Sequence, residues 1–70
     1  MNITKIINKF KDSGRKEIAF EDTLLSDGTT VFSFYIYKKK IYVLDNEGMD
    51  NPFDDYSEED QTTIYNTIMK

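Results

Sequence analysis

The apolar positions of this chain change their period twice. Ile3, Ile6, Ile7 and Phe10 recur at i, i+3, i+4 and i+7, the spacing of one helix face, and Lys5, Lys9 and Lys11 fall off it. Asn2 suits the N-cap, and Gly14 can take the left-handed conformation that ends a helix. The pattern predicts a helix over about 3–12. From residue 17 the period is two. Glu17-Ile18-Ala19-Phe20 reads as a first strand, Val31-Phe32-Ser33-Phe34-Tyr35-Ile36-Tyr37 as a second and Ile41-Tyr42-Val43-Leu44 as a third. Helical spacing returns with Ile64, Tyr65 and Ile68, extended one turn back by Gln61. Ser57 is placed to cap this helix, and Glu58, Glu59 and Asp60 fill its first turn, where the helix dipole favours negative charge. Asp60 stands where a capping box carries Glu or Gln, and Lys70 lies at the negative end, so a helix is expected over about 58–69.

Register decides which side chains share a face. If Lys38-Lys39 is a two-residue turn, Tyr37 opposes Lys40, Ile36 opposes Ile41, Tyr35 opposes Tyr42 and Phe34 opposes Val43. Phe32, Phe34, Ile36, Ile41 and Val43 then share one face, and Val31, Tyr35, Tyr37, Tyr42 and Leu44 the other. A three-residue turn would move Tyr42 and Leu44 to the Phe face. The first register is preferred because it collects purely apolar side chains under the helices. Asp27-Gly28 signals the turn between the first two strands. Tight pairing there would set Phe20 against Tyr35, so a bulge or longer loop is expected around Glu21-Asp22-Thr23. Residues 45–56, with Gly48 and Pro52, read as a connection pinned to the core by Phe53.

The predicted fold is α+β: a single domain over residues 1–70 in the order α-β-β-β-α. A three-stranded antiparallel sheet carries two helices on one face, and its other face is open. The length allows one small core, and the many aromatic and β-branched residues argue against disorder.

Composition removes several classes of function. There is no Cys, hence no disulfide framework, thiolate metal site or cysteine nucleophile, and a reducing cytoplasm is the expected compartment. There is no His, the usual general base near neutral pH. No apolar run is long enough to cross a membrane, and Met1-Asn2-Ile3-Thr4-Lys5 lacks the character of a signal peptide. The three glycines are scattered and form no phosphate-cradling loop. Asp45-Asn46-Glu47-Gly48-Met49-Asp50 has a superficial likeness to a calcium loop, but Gly48 falls at position four and Tyr56 at position twelve, so the match fails. No cofactor and no catalytic activity are expected.

Charge is uneven along the chain. Residues 1–44 sum to +3 (eight basic, five acidic) and residues 45–70 to −7 (one basic, eight acidic). The element order and length are similar to those of the double-stranded RNA-binding domain, which resemblance would imply lysines gripping phosphate at the start of the second helix. Here that position reads Ser57-Glu58-Glu59-Asp60, and carboxylates repel a phosphate backbone, so duplex RNA binding is not expected.

Three readings remain. The first is a non-catalytic protein-interaction module, docking another protein or a second copy through an open face bearing Tyr35, Tyr37, Tyr42, Val31 and Leu44, or through an edge strand. The second is an acidic inhibitor of the phage or mobile-element type, with Asp50, Asp54, Asp55, Glu58 and Glu59 standing in for phosphates. The third is weak single-strand nucleic-acid binding through Lys5, Lys9, Lys11, Arg15, Lys16 and Lys38-Lys39-Lys40 with the nearby tyrosines.

Overall fold

A computed structural model describes residues 1–70. Helix α1 spans Ile3–Ser13. Strands β1 (Ile18–Leu24), β2 (Thr30–Tyr37), β3 (Lys40–Asp45) and β4 (Asp50–Pro52) follow, then one turn of 3-10 helix at Phe53–Asp55 and helix α2 at Glu58–Ile68. Both helices start as their sequences require. The Asn2 side chain accepts from the Thr4 N–H at 3.1 Å, and Ser57 Oγ accepts from the Asp60 N–H at 3.2 Å. Gly14 ends α1 at φ +65°, donating its N–H to the Lys11 carbonyl.

The sheet is one antiparallel meander, with β1, β2, β3 and β4 side by side in chain order. It has four strands where three are expected. The fourth, Asp50-Asn51-Pro52, has no apolar alternation and contains a proline, so periodicity does not reveal it. A single carboxylate organises it. Asp45 Oδ1 accepts from the Glu47 N–H at 2.9 Å and the Met49 N–H at 3.0 Å, and Oδ2 accepts from Asn51 Nδ2 at 3.2 Å. The Asp45 N–H donates to the Met49 carbonyl at 3.1 Å. The chain is thereby turned back, and Pro52, Asn51 and Asp50 pair with Tyr42, Val43 and Leu44. At the sheet edge a proline is tolerated, because its missing donor need not serve a second neighbour.

The β2–β3 turn takes the two-residue form. Lys38 and Lys39 sit at φ +50° and +66°, and Tyr37, Ile36, Tyr35 and Phe34 oppose Lys40, Ile41, Tyr42 and Val43. Two irregularities alter the faces elsewhere. In β1 the register slips between Ala19 and Thr23, at the expected bulge, and the strand resumes pairing as far as Leu24. In β2 it slips between Val31 and Ser33, so Phe32 is an extra residue opposite β3. This second bulge was not expected, and it exchanges two side chains. Val31 pairs with Thr23 and Asp45 and is fully buried, so it belongs to the helix-covered face and not to the open one. Phe32 is half-buried and takes no part in the core packing, where it is expected.

The core lies between the sheet and both helices. Ile6 from α1 and Ile64 and Ile68 from α2 join Val31, Phe34, Ile41 and Val43, with Phe53 pinned beneath the 3-10 turn as expected. Leu25, just before the Asp27-Gly28 turn, is also buried there. The Phe10 and Phe20 rings lie 6.1 and 6.3 Å from Phe34. The helices are tied directly by Lys9, whose ammonium donates to the Ile68 carbonyl at the negative end of α2. Lys70, expected in that role, instead pairs with Glu21 at 3.0 Å in an exposed ion pair of little energetic weight. No helix is long and apolar enough to cross a membrane.

Candidate interaction surface

The face turned away from the helices is read directly from the register. Tyr35, Tyr42 and Pro52 form one row across three strands. Ala19, Ser33, Leu44 and Asp50 form the next, with Leu24 and Thr30 beyond it, and Tyr37 opposes Lys40 at the hairpin end. The centre is aromatic. The Tyr35 and Tyr42 rings stack with centroids 5.2 Å apart and 16° between planes. Tyr35 Oη donates to Asp50 Oδ2 at 2.9 Å, which orients the ring against the edge strand. This hydrogen bond is the main reason the Tyr35 hydroxyl holds its proton more tightly than an ordinary phenol, with lesser help from desolvation and the Asp50 charge.

Around that centre the surface is apolar and partly open. Tyr35, Tyr42 and Leu44 are half-buried, while Leu24 is 70% and Tyr37 57% exposed. The Lys38 ammonium sits 5.4 Å from the Tyr37 ring centroid. Beneath this surface Ser33 is fully buried, and its hydroxyl has no hydrogen-bond partner. Four of the five residues expected here are therefore brought together: Tyr35, Tyr37, Tyr42 and Leu44. Val31 is in the core instead. Asp50 and Pro52 join through a strand that the sequence pattern does not show.

The carboxylates of the expected acidic patch lie at the surface. Asp50, Asp54, Asp55, Glu58 and Glu59 are all exposed. Asp54 and Asp55 lie in the 3-10 turn, and Glu58 and Glu59 in the first turn of α2. The segment's other carboxylates are partly engaged internally. Asp45 is buried in the β3–β4 turn, and Asp60 is buried against the β1–β2 turn, accepting from the Ser26 N–H at 3.0 Å and Ser26 Oγ at 2.9 Å. Asp60 thus links α2 to the sheet rather than closing a capping box.

The lysines do not form one patch. Lys9 is engaged with α2 and Lys38 with Tyr37, whereas Lys11 and Lys39 flank a groove between α1 and the β2–β3 turn. The groove has a volume of about 450 Å³ and is lined otherwise by Ile7, Phe10 and Ile36. Sequence periodicity gives no warning of it, since it depends on the angle at which α1 docks. Comparisons with protein-family models, curated proteins and solved structures find no match to this chain.

Proposed function

We propose that the protein is a non-catalytic interaction module, working in a reducing compartment, whose open sheet face docks a partner protein. The observation that carries this reading is the stacked Tyr35–Tyr42 pair at the centre of a face that neither helix covers. Tyrosine supplies large contact area at low conformational cost together with a polar hydroxyl, a combination enriched where proteins meet. The rings are held before any partner arrives, by each other and by Asp50. Both sheet edges are poorly suited to strand addition: β1 is bulged, and β4 is three residues long and ends in proline. The partner is therefore a protein surface with an apolar centre and groups that can hydrogen-bond to phenols.

The test compares the native protein with Tyr35→Ser/Tyr42→Ser in capture from host extract at low and high salt, with light scattering on both. Proteins retained at high salt by the native chain and released by the double variant would support the reading. Unchanged capture by a folded double variant would refute it. A native dimer that the double variant dissociates would make the partner a second copy. A nucleic-acid-binding partner that is released by salt, and by Asp54→Lys/Asp55→Lys/Glu58→Lys, would replace the reading with phosphate mimicry.

A further inference from the structure

We infer that the groove between α1 and the β2–β3 turn is a second binding site, one that takes a segment of a partner protein carrying an apolar side chain flanked by carboxylates. It lies on the helix side of the sheet, so it is independent of the tyrosine face. Its floor is Ile7, Phe10 and Ile36, and its rim is Lys11 from the helix and Lys39 from the turn. Ile7 belongs to the apolar stripe of α1, yet it is half-buried and remains outside the packed core. The helix thus offers one more apolar residue than the domain itself uses.

Charge complementarity selects the occupant. The two rim residues are both cationic, and no acidic residue lines the groove. One cation comes from each wall. A peptide with acids on both sides of an apolar residue answers both cations. The groove is partly open to solvent, and at about 450 Å³ it has room for a protruding side chain and the backbone that flanks it.

The turn supplies an independent observation. Lys38 and Lys39 both adopt left-handed backbone, where glycine or asparagine is ordinary and lysine is sterically costly. Costly backbone at a tight turn points to a role for the side chains it presents. Here it presents Lys39 at the groove and Lys38 at the end of the tyrosine face.

The experiment is selection from a random dodecapeptide display library against the purified protein, with a counter-selection on Lys11→Glu/Lys39→Glu. Enriched peptides are expected to place a Leu, Ile, Met or Phe between Asp or Glu residues. A synthetic peptide made from them should bind the charge-reversed variant about tenfold more weakly or worse, as two rim attractions become repulsions. Its binding should shift the NMR signals of Ile7, Phe10 and Ile36 and leave those of Tyr35 and Tyr42 in place. Peptides lacking acids, peptides that bind both forms equally, shifts confined to the tyrosine face, or no enrichment would each overturn the proposal. A thermal melt of the variant confirms that it is folded, and Lys11→Gln/Lys39→Gln, which removes charge without reversing it, should give a smaller loss.

Discussion

The two faces of the sheet are built from neighbouring residues of the same strands, yet they differ in what holds them. Phe34 and Val43 are fully shielded by two helices, and their packing has no free side. Tyr35 and Tyr42, each one residue away, are held by each other and by one hydrogen bond to the edge strand. The covered face is fixed by burial and the open face by local pairing. The difference shows which residues stability constrains and which it leaves available for recognition.

The largest expected effect comes from cutting the covered face. Phe34→Ala should cost about 3–5 kcal/mol in chemical denaturation, against about 1 kcal/mol for Tyr42→Ala, where a half-exposed stack is lost. Equal losses would mean that the open face is part of the core.

A change at Asp45 should damage the open face from its edge. Asp45→Ala leaves the Glu47 and Met49 N–H groups without their carboxylate and should cost about 2 kcal/mol. Amide hydrogen exchange should rise at Asp50 and Asn51 while Phe34 and its neighbours stay protected.

Replacing the lysine turn should act in the opposite direction. Lys38→Asn/Lys39→Gly relieves two left-handed lysines and should raise stability by about 1–2 kcal/mol in the same assay. Neither face changes its register, so any loss of partner capture in this variant reports on the side chains alone.

The smallest effect separates the faces by pH. Tyr35 and Tyr56 both hold their protons above the ordinary phenol value of 10.0, Tyr35 mainly through its bond to Asp50 and Tyr56 mainly through burial. The stabilisation tied to each protonated phenol is present below about pH 10 and is lost as the pH rises through the raised value. Ring-carbon NMR titration of Asp50→Asn should return Tyr35 toward 10.0 and leave Tyr56 raised.

Much of this architecture is legible in the amino-acid order. The helix at Ile3–Ser13 follows from its apolar spacing, and its partner at Glu58–Ile68 from Ser57 and the acids behind it. The pairing of Tyr35 with Tyr42 follows from requiring apolar side chains to share a face. Two features are not legible, for different reasons. The bulge at Phe32 interrupts an alternation that looks unbroken in sequence, because Val31 and Phe32 are both apolar and either could face inward. The strand at Asp50–Pro52 owes its place to side-chain hydrogen bonds from Asp45, which no periodicity records. At the candidate site the same bulge moves Val31 into the core, and the strand that periodicity does not show brings in Asp50 and Pro52. The groove lined by Lys11 and Lys39 joins residues far apart in the chain, so only helix docking reveals it.

The meander has a consequence for how the chain assembles. Every strand pairs with its immediate neighbour in sequence, so the sheet can close through short loops in succession. The two helices have no such local route. One precedes the sheet and the other follows it, and Lys9 of the first reaches the Ile68 carbonyl of the second, 59 residues away. Closing that loop costs more chain entropy than closing any of the three hairpins. Phe34 and Val43 lack part of their cover in any state where α2 is undocked, so the docking of that helix is what keeps the apolar face of the sheet from self-association.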